Sequence, residues 1–223
     1  MNNVEPLHAW INQVFDHPVA DPPWYYSRAT SADTEEWSEA PDNSPEQIAE
    51  TFEHAGKLLL RFSDEQLNQG FWHLFYHVEP CFMGTLLDVK ILLVSRLRAL
   101  RSFVPLFEQV MAARCSSHLS HLDEKGANVL NSACYMWFDE LLDRFHPHRL
   151  VQAQLDVELV VTLRAILAIP HDACRESALH GIGHWVGCYS QLADVLDQFL
   201  ASTPGLRPEL VTYAEHARAG KVF

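Results

Sequence analysis

Lysine and arginine are scarce in this chain: 16 of them face 29 aspartates and glutamates, for a formal net charge of −13 over 223 residues. That balance argues against the broad basic surface with which nucleic-acid-binding proteins neutralise phosphates, and it disfavours anionic membrane surfaces. Long hydrophobic runs are also missing. Residues 58–60 and 91–94 are the longest candidates, and both give way to charges far short of the roughly 20 apolar residues of a membrane span. The chain opens Met-Asn-Asn-Val-Glu-Pro, without a basic or an apolar leader segment, so a cytoplasmic location is expected. The five cysteines (Cys81, Cys115, Cys134, Cys174 and Cys188) are odd in number, widely spaced and without a Cys-x-x-Cys pair. Buried, reduced thiols fit that pattern better than a disulfide framework. There is no Gly-x-Ser-x-Gly elbow and no phosphate loop, and Gly181-Ile-Gly183 lies within a helical pattern with no strand before it.

What the chain does have is apolar periodicity. Of its residues 48% are hydrophobic, and almost every patterned segment repeats near 3.6 residues rather than alternating as a strand does. The fold class expected is all-α, an antiparallel helical array. Residues 1–45 read as an N-terminal arm with a short helix over 6–15, then Pro- and aromatic-rich and acidic stretches. Trp10, Trp24, Tyr25, Tyr26 and Trp37 in that arm are costly to leave in water and are expected to pack on the body or on a partner. Residues 46–223 read as one all-α helical domain. Its helices are expected at 46–61 (Ser44 as N-cap, Pro45 in the first turn), 64–78 behind the capping box Ser63-Asp-Glu-Gln66, 85–103, and 105–115 after a break at Pro105. Further helices are expected at 126–145, 150–168, 172–187, 190–201 and 208–219. No Lys or Arg lies between Arg28 and Lys57, while the segment holding Lys90, Arg96, Arg98 and Arg101 is basic. The acidic run is therefore read as a solvated face paired internally with that segment, in preference to a docking surface.

One unit carries more pattern than the rest. Over residues 150–187 a periodic helix is followed by the turn Ile169-Pro170-His171-Asp172 and by a second helix. That second helix bears Cys174-Arg175-Glu176, Ala178 and Gly181-Ile182-Gly183. Asp172 can cap the helix, and the small residues let a neighbouring helix come close. Spacing and residue types resemble the HEAT repeat: a turn aspartate, a branched-Arg-Glu start, a buried alanine and a closing small-Leu-Gly. Cys174 stands where the family usually has a branched apolar residue. The resemblance implies an α-solenoid with a concave binding surface and a non-enzymatic adaptor that binds another protein. No nucleic acid, membrane or cofactor partner is expected, and a homodimer is compatible with the reading.

The same helix carries the candidate chemistry. Glu176, His180, His184 and Cys188 recur every four residues, and His73 and His77 form a second His-x-x-x-His pair. Such a pair sets two rings on one helix face and can hold zinc if a third ligand joins it. With 13 histidines in the chain, pairs of this kind also arise by chance. At 1.5 Å per residue the four residues of the stripe spread over about 18 Å, so one ion can take two adjacent members at most and other helices must supply the rest. The candidate binding residues are thus Glu176, His180, His184, His73 and His77. No metal is expected, and if one binds, the ligands are His180, His184 and Glu176. Glu176 is expected to orient His180 at a helix–helix contact, and Gly183 and Gly187 at the edge of the stripe point to a helix pressed against it. The alternative is a metal-dependent hydrolase. His171-Asp172 is similar to the dyad of HD-type phosphohydrolases, which implies an earlier histidine (His146 or His148) and a later aspartate (Asp194 or Asp197).

Overall fold

The computed structural model describes residues 4–29, 43–75, 82–142, 153–189 and 191–222. Among these residues every regular element is helical and none is a strand, so the fold is all-α. No described helix is long and apolar enough to cross a membrane. The chain divides into two compact units, Met1–Leu106 and Phe107–Phe223.

The first unit holds α1 (Val4–Phe15), α2 (Trp24–Ala29), α3 (Ser44–Glu53), α4 (Ala55–Leu58), α5 (Asp64–Phe75), α6 (Leu93–Arg101) and α7 (Phe103–Leu106). Ile48, Phe52, Phe71 and Phe103 are fully enclosed in its core. α1 packs on α5 and α3, and the ring of Phe15 lies over Gly70 where a Cβ has no room. Trp10 and Tyr25 are buried, and Trp24 stacks on His17 at 3.6 Å between ring centroids. Trp37 lies outside the described residues.

Several helix boundaries differ from those expected. The helix over 46–61 is interrupted at His54, where α3 ends and α4 begins. Its N-cap is Asn43 rather than Ser44, and Asn43 makes no side-chain cap bond. The segment expected to be helical from 85 starts as a 3₁₀ turn, Met83–Leu87, and opens at Asp88 before α6. Pro105 does not break the chain's helical course. It lies within the short α7, where its missing N–H is one the first turn leaves unpaired in any case. The capping box at Ser63 does form: the Gln66 N–H donates to Ser63 Oγ at 3.2 Å, and the Ser63 N–H donates to Gln66 Oε1 at 3.1 Å. Arg98 on α6 donates to Glu50 and Glu53 at 2.8 and 2.5 Å, which pairs the described end of the acidic run with the basic segment. Residues 33–42 of that run lie outside the described residues.

The second unit opens with a π-helical turn, Phe107–Met111, and then α8 (Ala112–Arg114). It continues with α9 (Leu130–Leu142), α10 (Ala153–Leu167), α11 (Asp172–Trp185), α12 (Gln191–Ser202) and α13 (Pro208–Arg218). α11 is its axis and packs against α9, α10 and α13. Eleven of its fourteen residues are buried, so its mixed small and polar sequence faces protein on nearly every side. Gly181 and Gly183 make that enclosure possible. A Cβ on Gly181 would stand 2.6 Å from the Phe138 Cβ on α9, and one on Gly183 would stand 2.5 Å from Val222. Gly187, expected in the same role, has nothing within 4 Å of its Cβ position. The N-cap of α11 is His171, not Asp172, and it makes no side-chain cap bond. Asp172 sits instead in the first turn, at the end of the helix dipole that favours a negative charge.

Candidate metal centre

Residues i and i+4 of a helix stand side by side, so α11 sets the rings of His180 and His184 together. Their centroids are 4.7 Å apart and their Nε2 atoms 3.2 Å apart. The third group comes from α9. Gly181 allows the Phe138 Cβ to approach α11, and the next residue on α9 is Asp139. Its Oδ1 lies 3.0 Å from His184 Nε2, and one ligand atom from each of Asp139, His180 and His184 falls within 4.8 Å of the others. Two imidazole nitrogens bound to one ion at about 2.05 Å, with an angle of about 90–109° between them, stand about 2.9–3.3 Å apart. The separation here falls inside that window without any movement of the rings. Two imidazoles and a carboxylate suit zinc and the other divalent first-row metals, and three protein ligands leave positions for water.

The second layer of contacts fixes one ring. His180 is 3% exposed, and its Nδ1 lies 2.7 Å from the hydroxyl of Tyr213 on α13. That hydroxyl is in turn 3.1 Å from the hydroxyl of Tyr135 on α9. With the His180 proton on Nδ1 and donated to Tyr213, the Nε2 lone pair points at His184 and Asp139, the tautomer that coordination needs. The Tyr213 hydroxyl is then free to donate to Tyr135. Burial, and next the ring of His184, hold the His180 imidazole down at about 4, so it is neutral near pH 7. The hydrogen bond from His184 holds the Asp139 carboxyl below its usual range. Burial and the Tyr135 hydroxyl push Tyr213 well up, so it stays a phenol. His184 and Asp139 are 34% and 27% exposed at their side chains, which leaves the group open to solvent on one side.

Glu176 is not part of this group, and the expectation that it orients His180 is corrected. Its carboxylate, 0% exposed, accepts from the backbone N–H of Ser120 at 3.0 Å and of His121 at 2.9 Å, and contacts His121 Nδ1 at 2.6 Å. Three donors satisfy a carboxylate that is otherwise expensive to bury. The His121 ring stacks on Tyr213 at 4.0 Å, so Glu176 is linked to the centre through His121 and Tyr213. Beside His180 and His184, where the sequence suggests Glu176, the fold puts Asp139.

The other candidates fall elsewhere. His73 is buried among the rings of Trp24, Tyr25 and Phe82, and His77 lies outside the described residues. Glu50, Glu53 and His54 also come together, but Arg98 occupies both carboxylates. Of the set implied by the HD-type dyad, only part falls within the described residues. Asp197 is paired with Arg218 at 2.7 Å, and His146 and His148 lie outside the described residues. His171 lies instead beside the buried Cys174, and Cys134 and His171 lower that thiol from its usual range. Cys115, Cys134 and Cys174 are buried, while Cys188 is exposed. No protein-family model matches the chain, and no curated protein or solved structure is significantly similar to it.

Asp139, Tyr213, Tyr135 and His121 are absent from the sequence-based candidates. Asp139 and Tyr135 share a helix with an i, i+4 spacing that places both on one face, and Asp139 is the first of two acids directly after the Tyr135-Met-Trp-Phe138 aromatic run. That is the signal available from the sequence for the third ligand. Tyr213 and His121 carry none, because each meets the site only across the fold.

Proposed function

We propose that the second unit binds one divalent first-row transition-metal ion through His180 Nε2, His184 Nε2 and an Asp139 oxygen, with water in the remaining positions. The observation that carries this reading is the convergence of the three ligand atoms, the two ring nitrogens 3.2 Å apart, around a histidine whose other nitrogen is held by Tyr213. An ion so held is a Lewis acid that lowers the pKa of its bound water, which is the chemistry of metal-assisted hydrolysis. His180 supplies a fixed, neutral ligand from the protein interior. His184 and Asp139 supply the solvent-facing side, and in the metal-free protein His184 donates its Nε2 proton to Asp139. The test is titration of chelator-treated protein with Zn(II) and with Co(II), whose visible absorption reports coordination number. One ion per chain, lost in His184→Ala and Asp139→Ala, is expected. Equal binding by the wild type and both variants would remove the reading.

The protein-binding role expected from the sequence stands as a second reading on one observation. Val89, Leu92 and Val94 are 62%, 70% and 68% exposed within six residues, a concentration of solvated apolar surface that interfaces cover. Sedimentation of the wild type and of a Leu92→Ser, Val94→Ser variant tests self-association. A concentration-dependent dimer abolished in the variant supports it, and a monomer at every concentration removes the homodimer.

A further inference from the structure

We propose that a cavity among α10, α11 and α12 binds a small organic oxyanion, a carboxylate or phosphate monoester carried on an apolar body, through Arg164 and Arg175. This reading is independent of the metal centre, because Arg175 lies five residues before His180, about 140° around α11 from it. The cavity is about 710 Å³ and is lined by both arginines, by Gln198, and by the apolar side chains of Leu167, Val195 and Phe199. That volume is in the range of small-molecule sites, as is a mainly apolar wall with a few polar groups.

The charge pattern selects the ligand. Acidic residues outnumber basic ones 29 to 16, and elsewhere in the unit the arginines Arg207 and Arg218 are engaged by Glu124 and Asp197. Neither Arg164 nor Arg175 has a carboxylate partner among the described residues. Arg164 donates from Nη2 to Gln198 Oε1 at 3.0 Å, which leaves its other donors available. The Arg175 guanidinium sits 5.9 Å from the centroid of the Phe199 ring, and its Nε is buried with no acceptor among the described residues. A buried cationic N–H without an acceptor is costly, and a guanidinium presents its donors as a planar fork that matches an oxyanion. The two arginines therefore define the anionic end of the site, and Leu167, Val195 and Phe199 define the apolar end.

The test is isothermal titration of EDTA-treated protein, so that no metal offers a second oxyanion site, with four probes: phenylacetate, phenyl phosphate, inorganic phosphate and benzyl alcohol. Saturable 1:1 binding of phenylacetate or phenyl phosphate is expected, at least tenfold tighter than inorganic phosphate or benzyl alcohol. The tighter of the two organic anions assigns carboxylate or phosphate. Arg175→Gln and Arg164→Gln are expected each to weaken that binding at least tenfold while leaving the circular dichroism and melting temperature near those of the wild type. Arg175→Lys, which keeps the charge and loses the fork, should fall between. Three results would each overturn the proposal: no saturable binding of either organic anion at millimolar concentration, equal binding of benzyl alcohol, or unchanged binding in folded Arg175→Gln. A variant that melts early is replaced by Phe199→Leu, which keeps both charges and is expected to weaken the phenyl probes and not inorganic phosphate.

Discussion

Replacing Tyr213 by phenylalanine separates the metal reading from a purely structural one. Tyr213 does not touch the proposed ion. Its hydroxyl lies 2.7 Å from His180 Nδ1 and 3.1 Å from the Tyr135 hydroxyl, and its ring is only 3% exposed. Tyr213→Phe keeps the stack on His121 and removes one oxygen. The His180 Nδ1–H then loses its acceptor inside a closed site, and the ring can place its proton on Nε2 instead, where it competes with the metal. Loss of such a partner to a ligating histidine typically costs 10–100-fold in metal affinity, or about 1.4–2.7 kcal/mol. The metal-free protein should lose about 1 kcal/mol of stability for the missing hydrogen bond. Tyr135→Phe, one bond further out, should change affinity by less than about threefold, since it leaves the His180 partner in place. Competition for Zn(II) against a chromophoric chelator at pH 7 measures the first effect, and urea unfolding in EDTA measures the second. Affinity within twofold of the wild type in Tyr213→Phe, with the stability loss present, would refute the orienting role and leave Tyr213 a packing residue.

Glu176→Gln should be the reverse case. It takes one charge from a buried acceptor of three donors, so about 2–3 kcal/mol of stability is expected to go, while one Zn(II) still binds. Loss of binding as complete as in His184→Ala would return Glu176 to the ligand set. Gly181→Ala forces a Cβ to 2.6 Å from the Phe138 Cβ and 3.0 Å from Leu163. The overpacking costs about 1–3 kcal/mol, against up to about 1 kcal/mol gained in helix propensity. A lower melting temperature is expected, with weaker metal binding because Asp139 moves with α9; an unchanged melting temperature would contradict the close approach. The His180 pKa falls from 6.5 in the unfolded chain to about 4 in the fold, so between those values the unfolded state binds the extra proton. Stability of the metal-free protein is therefore full above about pH 6.5 and is lost as pH falls toward 4, by up to about 3 kcal/mol. Urea midpoints from pH 7 to 4 in EDTA measure it, and a His180→Gln profile as steep as that of the wild type would place the loss elsewhere.

The parts of the fold that the sequence makes legible are those set by near neighbours. The reciprocal bonds of Ser63 and Gln66, the α11 span from Asp172 and the pairing of His180 with His184 all follow from residues at most four apart. Boundaries fail where longer contacts decide. α3 stops at His54 and the chain opens at Asp88, although the apolar periodicity runs through both. The site divides along the same line. The spacing on α11 supplies two ligands and shows that a third has to come from another helix, but it cannot say which one. Glu176 is the local choice, but in the fold its carboxylate is engaged elsewhere. One turn before His180, a fully buried carboxylate needs donors, and the backbone N–H groups of Ser120 and His121 satisfy it more completely than one imidazole could. Asp139 can take the third place because Gly181, the residue after His180, removes the side chain that would hold α9 away. The glycine that reads as repeat architecture is thus the same residue that brings Asp139 up to the proposed metal site. The helix-packing pattern and the His-x-x-x-His pair, which compete as explanations of one stretch of sequence, are two consequences of a single close helix contact.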